Sequence, residues 1–454
     1  MKIDYVKLKD KDIYLKDKIY DFIIIGSGPA AVTLYRKLLS KKKKNILILE
    51  EGDYSKKSFK KVLTKHLKIK LRSRAFTVGG TSSIWSNVSS YLEDFEMKPR
   101  WKNRQLNLWP LSHEILLKEY KKLDKKYQFS FNKLKSCFLN IPFEVRPFIA
   151  STKPINFKQL INENEVDLIY NCKISTIDEN QKIATAFTQK NKFKFKAKKI
   201  IICCGGIESV NLIQNSLYKK KLKNIKNKNI VGKYFMDHPK FNLGYLKYPK
   251  LDIINKLELK IKKNLISYYG ISLKRNIQQK KNLLNSYVRF EKLDNRISRF
   301  FEKLNIPIIK NIRRSENIYK VRLFCEMMPN IKNSIVLKQN KIFVNFKLSK
   351  IDHETIKLLS NKIKNFFSFK PDLETNFKVQ YEENKIKDAS HHIGGLRFDN
   401  NKKLSVVDKS LKIRGLKNIY VCSSAIFPTS GSVNPTMTIC ALSGRLGEHL
   451  KNNI

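Results

Sequence analysis

Two short apolar runs near the start of the chain flank a glycine turn and an amphipathic segment. The run from Phe22 to Ile25 is apolar throughout, which is typical of a strand buried in a parallel sheet. After Gly26-Ser27-Gly28, apolar residues recur at helical spacing from Ala30 to Leu39, and a second apolar run covers Ile46 to Leu49. The pattern predicts a strand, a tight turn, a helix and a second strand, in that order.

This unit has the residues of a dinucleotide-binding fingerprint. Gly26 permits the turn, Gly28 lets the backbone approach a pyrophosphate, and Ala31 allows the helix to pack closely on the strand. The free N–H groups and positive dipole end of the helix N-terminus suit phosphates. Glu50 ends the second strand, where an acidic side chain hydrogen-bonds the adenosine ribose. Because an acid suits a free 2′-OH, FAD or NAD fits better than NADP, and a glycine-rich turn in an ordinary α/β domain is the alternative.

Three later segments extend the same architecture. The stretch VGGTSSIWS, from Val78 to Ser86, is a second glycine turn with hydroxyl groups suited to phosphate or ribose contacts. Residues 197–216 predict a buried strand, then Gly205-Gly206, then a helix, and residues 418–450 predict a strand, a polar loop and a final helix. One Rossmann domain would therefore be assembled from both ends of the chain and a middle segment.

Two adjacent histidines, His391 and His392, lie in the stretch DASHHIGGLRF of a chain that has 7 histidines in all. By itself the stretch is compatible with a metal site, a catalytic base or a plain loop. No Cys, His and acid cluster with zinc spacing accompanies the pair along the chain, so we predict no metal.

The formal net charge is +53, from 92 Lys and Arg against 39 Asp and Glu. The lysines are spread along the chain, whereas a nucleic-acid or membrane-binding patch would group them among aromatic residues. We therefore attribute the charge to compositional bias and predict no specific nucleic-acid partner. Hydrophobic residues make up 42% of the chain, which is enough for a substantial core, and 454 residues suggest two domains or one large domain with insertions.

The first twenty residues are charged throughout and lack the apolar region of a secretory signal. No apolar run approaches the roughly 18 residues that span a bilayer. The 7 cysteines are odd in number and contain no CxxC, which predicts neither a disulfide framework nor a zinc ribbon and fits a reducing compartment. These features predict a cytoplasmic protein without a transmembrane segment.

The order and spacing of these segments resemble those of the glucose–methanol–choline (GMC) family of FAD-dependent oxidoreductases. The resemblance includes the N-terminal fingerprint with LILEEG, the GGTSS turn, WPLSHEILLKEYKKL, CCGGIESVNLIQNS, VGKYFMDHP, MMPNIKNSIVL, and the C-terminal block from His391 to SGSVNPTMTICALSGRL. It covers most of the chain. Each motif is too short to be specific by itself, but the order and spacing of all the motifs together are specific for this family.

Four positions depart from the family pattern. Trp85 stands where an Asn is usual, and Gly395 replaces the Thr of the H-x-x-G-T motif. Phe398 stands where Met is usual, and Ser423 replaces a common Asp or Gly. The chain is also shorter than most members. These differences leave FAD binding implied and leave the shape of the substrate pocket and the substrate class open.

The resemblance implies an α/β fold, α+β overall, with a Rossmann-like FAD-binding domain built from discontinuous segments. That domain would comprise residues 1–94, 161–239 and 386–454, and a substrate-binding domain would comprise residues 95–160 and 240–385. Alternating strand-like runs in the second region, such as NSIVLKQNKIFVNFKL, predict an antiparallel sheet.

The resemblance also implies bound FAD and oxidation of a small-molecule alcohol, such as a sugar or polyol, with an electron acceptor that is left open. We expect the FAD to be non-covalent, because the sequence shows no clear attachment residue. His391 matches the family's catalytic histidine, and histidine titrates near neutrality, as a general base requires. Asn434 would hold the same hydroxyl and, before Pro435, would also cap the last helix. His392 is assigned to packing or to a hydrogen bond at the domain junction, and His238 is assigned a structural rather than a catalytic role. The cofactor-binding residues would be Gly26, Gly28, Ala31, Glu50, Gly79, Gly80, Thr81, Ser82, Ile174, Gly205, Ser423, Pro435 and Thr436.

Two alternatives to this function stay open. One is another FAD-dependent oxidoreductase that shares the fingerprint, against which the combination of His391 with Asn434 argues. The other is a basic protein that binds nucleic acid or a membrane surface and keeps a vestigial flavoprotein fold, for which no Lys/Arg–aromatic motif is visible.

Overall fold

The structure is a computed structural model that describes residues 1–7, 18–39, 44–98, 109–127, 142–151, 155–163, 166–187, 192–248, 260–262, 265–292, 317–368, 374–376 and 386–452. The strands, in chain order, are β1 Lys2–Asp4, β2 Ile19–Ile25, β3 Ile46–Leu49, β4 Leu63–His66, β5 Phe143–Ser151, β6 Asp167–Tyr170, β7 Ile174–Asp178, β8 Ile183–Phe187, β9 Lys192–Ile202, β10 Lys240–Tyr248, β11 Lys260–Lys262, β12 Leu265–Leu273, β13 Ser286–Lys292, β14 Asn317–Cys325, β15 Ser334–Lys338, β16 Lys341–Phe346, β17 Glu374–Asn376 and β18 Ile419–Val421. The α-helices are α1 Pro29–Leu38, α2 Asp94–Met97, α3 His113–Tyr127, α4 Phe157–Asn162, α5 Gly205–Tyr218, α6 Arg275–Lys280, α7 Lys350–Ser368 and α8 Thr436–Asn452.

The first sheet has the strand order β1-β6-β3-β2-β9-β8-β7, and β18 also pairs with β9. Its centre, including β3, β2, β9 and β18, is parallel, while β9, β8 and β7 form an antiparallel edge. Strand β9 changes character along its length for this reason. Lys192, Lys194 and Lys196 alternate with buried Phe193 and Phe195 beside β8. The last three residues, Ile200 to Ile202, are continuously apolar and buried, and they lie between the parallel strands β2 and β18.

Helices α1 and α8 pack against each other beside this sheet. Gly447 of α8 allows their close approach, because a Cβ atom there would lie 2.7 Å from the Cβ of Lys37. The hydroxyl of Ser443 donates to the backbone oxygen of Ala30, which joins the last helix of the chain to the first. The first and last α-helices of the described chain are therefore in direct contact.

The second sheet is antiparallel, in the order β11-β12-β13-β14-β10-β17 with β5 also paired to β12. Helix α7 covers it, with Phe367 against Phe290 and Phe366 against Phe143. Parallel and antiparallel sheets in one chain confirm the predicted fold class.

The run NSIVLKQNKIFVNFKL forms the antiparallel hairpin of β15 and β16, as expected. The hairpin stands apart from the large antiparallel sheet, because β16 pairs in parallel with β4 in a separate sheet of 3 strands. Strand β4 belongs to the segment that we assigned to the cofactor domain, so this small sheet joins the two predicted regions. Backbone pairing over such a distance leaves no local mark in the sequence.

Two further observations concern residues that the structure describes. Cys172, Cys203, Cys204, Cys325, Cys422 and Cys440 are free thiols, and Cys137 lies outside the described residues. Among the described helices, none is both long enough and apolar enough to cross a bilayer.

Candidate active site

A cavity of about 770 Å³ opens where β2, β3, β9 and β18 end. Ligands of open α/β sheets commonly bind outside the carboxyl ends of the parallel strands, and the volume lies within the usual range for small-molecule and cofactor sites. Helices α1, α5 and α8 all begin at its wall, which residues such as Ala30, Gly206 and Thr436 line. Three sets of unpaired backbone N–H groups therefore face one space.

Two glycines allow the backbone segments around the cavity to approach each other. Gly26 has a φ of 100°, and a Cβ atom there would lie 2.5 Å from the backbone oxygen of Cys203. At Gly206 a Cβ atom would lie 2.2 Å from the backbone oxygen of His392. Gly206 thus brings the start of α5 against the histidine pair, a contact for which sequence analysis had no signal.

Glu50 is buried and holds the first glycine turn together. Its carboxylate accepts the backbone N–H of Ser27 at 3.0 Å, the hydroxyl of Ser27 at 2.6 Å and the N–H of Gly52 at 2.7 Å. Burial raises the pKa of Glu50. Because each carboxylate oxygen can accept more than one hydrogen bond, Glu50 can also bind a ligand in the cavity that it lines.

Most of the cofactor-binding residues expected from the sequence line this cavity. They are Gly26, Gly28, Glu50, Gly80, Thr81, Ser82, Ile174, Gly205, Ser423, Pro435 and Thr436. Two expected residues lie elsewhere. Ala31 is fully buried inside α1, where it serves the helix packing that the fingerprint requires, and Gly79 donates its N–H to the hydroxyl of Ser27 at 3.0 Å.

The proposed pair of His391 and Asn434 is brought together at the cavity wall. The Nε2 atom of His391 lies 3.1 Å from Nδ2 of Asn434, and both residues line the cavity. The expectation that Asn434 caps the last helix is wrong by one position. Helix α8 begins at Thr436, so the N-cap is Pro435, and the backbone oxygen of Pro435 accepts the N–H of Ile439 at 2.9 Å.

A short antiparallel pairing explains which way each histidine points. Met236 and Ile393 exchange backbone hydrogen bonds of 2.8 and 2.9 Å. Residues two positions beyond this pair, His238 and His391, therefore face each other on one side, and Asp237 and His392 lie on the other. The Nδ1 atoms of His238 and His391 are 2.8 Å apart.

The contact of His238 with His391 had no signal in the sequence, from which we expected only a structural role for His238. Its Nε2 atom lies 3.1 Å from the backbone oxygen of Ser430, and its ring is buried. His238 lies in the motif VGKYFMDHP, but it is 153 positions from His391 in the sequence, so no local pattern could predict that the two residues are in contact.

Asp237 joins the two segments that carry the histidines. Its Oδ1 atom accepts the backbone N–H groups of His238 at 2.6 Å, Ala389 at 3.1 Å and His391 at 3.2 Å. Burial is the main cause that raises the pKa of Asp237.

On the other side of the pairing, Asp237, Asp388 and His392 form a buried cluster whose ligand atoms lie within 4.8 Å of one another. The linear sequence showed no such group, because tertiary contacts bring these residues together. Lys70 already supplies a positive charge there, since its Nζ atom lies 3.2 Å from Oδ1 of Asp388 and donates to the backbone oxygen of the same residue. The absence of a metal stays a prediction.

Burial keeps the three histidines of this region neutral at neutral pH. It lowers the pKa of His238 to about 4 and that of His392 to about 3. The pKa of His391 is lowered well below its usual value by burial and then by His238, His392, Lys240 and Lys70. A neutral imidazole is the form that can accept a proton.

The loop that carries Asn434 is held by a buried ion pair from the predicted substrate region. Oε1 of Glu96 accepts the N–H of Ser432 at 2.7 Å and its hydroxyl at 2.9 Å. Nη2 of Arg146 lies 2.8 Å from Oε2 of Glu96, and Nη1 of Arg146 donates to Ser432. These contacts position the segment just before α8.

Asn87 is a further residue that sequence analysis missed. It is fully buried, it lines the cavity, and both polar atoms of its side chain lack a hydrogen-bond partner among the described residues. Burying an unpaired amide costs several kcal/mol, roughly 2–7, so a ligand partner is the natural complement. The nearby Trp85, which replaces the usual Asn, packs against Phe157 with ring centroids 5.9 Å apart.

The parallel sheet with its glycine turn, beside an antiparallel sheet, defines the chain as a mixed α/β protein. Residues 337–443 match the family model of GMC oxidoreductase, which confirms the resemblance for that part of the chain. No curated protein sequence matches it.

Two solved structures share the fold. One is formate oxidase of Aspergillus oryzae RIB40, from work on the effect of the mutation R554A on FAD modification. It has 15% sequence identity to this chain and a TM-score of 0.61, and the alignment covers 96% of this chain and 99% of that one. The other, pyridoxine 4-oxidase from Mesorbium loti, has 12% identity and a TM-score of 0.61, covering 95% and 99%.

Proposed function

We propose that the protein binds FAD non-covalently in the cavity and oxidises a CH–OH group of a small alcohol. The observation that carries the proposal is the His391–Asn434 pair, which lies on the wall of the same cavity as Gly26, Gly28 and Glu50. A polar pair and a dinucleotide turn on the wall of one cavity are what a flavin-dependent alcohol oxidation requires.

The residues of the cavity fit FAD. Gly205 has a φ of 76°, and a Cβ atom there would meet nothing within 4 Å, so the wall leaves open space where a side chain would otherwise project. The starts of α1, α5 and α8 favour negative charge, which the pyrophosphate carries. Glu50 suits the ribose, and the unpaired amide of Asn87 offers a donor and an acceptor to a ring edge or a substrate.

His391 and Asn434 have different roles toward the alcohol. Nε2 of His391 accepts the proton of the hydroxyl group, and Asn434 donates a hydrogen bond to the hydroxyl oxygen. When bound, FAD supplies the acceptor for the hydride that leaves the carbinol carbon. The alcohol thereby loses one proton to His391 and one hydride, and becomes a carbonyl compound. A positioned general base of this kind typically contributes about 10²–10⁴-fold in rate.

We further propose that the first sheet belongs to the cofactor domain of residues 1–94, 161–239 and 386–454. The second sheet then belongs to the substrate domain of residues 95–160 and 240–385. All strands of the two sheets fall within these ranges, which supports the division. Glu96 and Arg146 would then carry an interdomain contact to the loop before α8.

The test is the spectrum of the purified protein, followed by an anaerobic screen of alcohols. We expect bound flavin that heat denaturation releases into solution, and bleaching of its absorbance by at least one alcohol. A colourless protein that gains no thermal stability from added FAD would contradict cofactor binding. Flavin that stays with the precipitated protein would contradict non-covalent attachment.

A further inference from the structure

A chain of three hydrogen bonds connects a backbone carbonyl to the cavity through two imidazole rings. It runs from the backbone oxygen of Ser430 to Nε2 of His238 at 3.1 Å. It continues from Nδ1 of His238 to Nδ1 of His391 at 2.8 Å. It ends between Nε2 of His391 and Nδ2 of Asn434 at 3.1 Å.

The backbone oxygen of Ser430 determines where each proton lies along these three hydrogen bonds. A carbonyl oxygen can only accept, so Nε2 of His238 must carry hydrogen. A neutral imidazole carries one N–H, and Nδ1 of His238 is therefore an acceptor. The facing Nδ1 of His391 must donate to it, which leaves Nε2 of His391 without hydrogen. Asn434, whose Nδ2 carries two hydrogens, can donate to that atom.

We propose that His238 is a positioning residue that holds His391 in its Nδ1–H tautomer, so that the lone pair of Nε2 faces the cavity. The inference deepens the proposed function and rests on it for the role of the alcohol proton. In the opposite tautomer, Nε2–H would face Nδ2–H of Asn434, and two donors would meet with no atom free to accept a proton. His238 acts through His391 and does not itself line the cavity.

The backbone makes this arrangement rigid. Pairing of Met236 with Ile393 places the two rings opposite each other, and Asp237 binds the N–H groups of both His238 and His391. The ring planes meet at 78°, which directs one Nδ1 atom at the other. Burial and the neighbouring Lys70 and Lys240 disfavour a charged His391, which supports the neutral form on which the deduction depends.

The experiment is nitrogen-15 NMR of the histidine side chains in the flavin-loaded protein at neutral pH, without substrate. His391→Ala assigns the His391 signals among the 7 histidines. We expect Nδ1 of His391 to be protonated and Nε2 to be bare. His238→Ala should convert His391 to a tautomer mixture or to Nε2–H. His238→Gln, whose amide can accept from Nδ1–H and donate to Ser430, should restore the original tautomer.

Flavin reduction gives a second readout. His238→Ala should slow it by between about 10-fold and 10⁴-fold, the upper figure being the cost of a wrong histidine tautomer in a serine-protease triad. The glutamine variant should recover much of the rate. His66→Asn is the matched control, because His66 is exposed on β4 and is not one of the residues that line the cavity.

Two results would overturn the inference. One is an Nε2–H tautomer of His391 in the unmodified protein, a measurement that needs no variant to fold. The other is an unchanged His391 tautomer in His238→Ala. Failure of the proposed function can be told apart from failure of this inference. In that case His391 would show the expected tautomer, but no alcohol would reduce the bound flavin.

Discussion

The Oδ1 atom of Asp237 accepts the backbone N–H of His391 at 3.2 Å, across 154 positions of the chain. The same oxygen binds the N–H groups of His238 and Ala389. One carboxylate therefore sets the spacing between the segment that carries the proposed base and the segment that carries its partner.

Asp237→Ala should destabilise the protein strongly. It removes the acceptor of three N–H groups, and an unsatisfied buried donor costs about 1–3 kcal/mol, so we expect a loss of about 3 kcal/mol or more in the free energy of unfolding. Asp237→Asn keeps an oxygen at this place and should lose less. Urea unfolding of the two variants measures the difference, and equal small losses would show that this carboxylate does not hold the segments together.

His391→Ala should keep its flavin and lose the rate of flavin reduction by about 10²–10⁴-fold, the usual contribution of a positioned general base. His392→Ala is the matched comparison and should lose far less, because His392 lies on the opposite side of the pairing. Anaerobic stopped-flow with any reducing alcohol measures both rates. An inactive His392→Ala beside a normal His391→Ala would reverse the assignment, and normal rates in both would make the pair structural.

Glu50→Gln should weaken FAD binding. The carboxylate accepts the N–H groups of Ser27 and Gly52, so an amide NH₂ would face donors in the turn and would lose a charged acceptor for the ribose. We expect a loss of about 1.5–3 kcal/mol, the range for hydrogen bonds to charged groups. Titration of the apoprotein with FAD gives the affinity, and unchanged binding would remove Glu50 from the site.

Stability should fall as the pH drops from about 6.5 to about 4. The pKa of His238 is lowered from 6.5 to about 4 in the folded protein, so in this window the unfolded chain binds a proton that the folded one does not. The contribution is fully present above pH 6.5 and amounts to on the order of 3 kcal/mol, at about 1.4 kcal/mol per pKa unit. Urea unfolding across the window checks this, and His238→Gln should show a shallower decline.

The high positive charge should give only non-specific attraction to nucleic acid. Contacts to phosphate weaken steeply with salt and carry no sequence information, so binding at low salt should vanish near physiological ionic strength. Fluorescence anisotropy with two unrelated oligonucleotides at several salt concentrations measures it. Tight binding of one sequence at physiological salt would support the alternative of a nucleic-acid-binding protein.

The sequence alone determined the elements whose cause is local. The apolar run at Ile23 to Ile25, the turn at Gly26 and the acid at Glu50 predict a parallel strand and a dinucleotide turn, because periodicity and backbone freedom act over a few residues. The GMC resemblance, which the match over residues 337–443 confirms, rested on short motifs of this kind. The motif containing His391 also indicated the histidine that lies beside Asn434, although His392 lines the same cavity.

Tertiary structure alone decided the contacts that give those residues their chemistry. His238 meets His391, Asp237 joins Asp388 and His392, and β4 joins β16, each across a large distance in the chain. The contact between Nδ2 of Asn434 and Nε2 of His391, just before α8 begins at Thr436, also depends on this packing. The shape and hydrogen bonding of the folded chain select which distant residues meet. The inferred tautomer of His391 depends on the backbone oxygen of Ser430, which no local sequence pattern places next to His238.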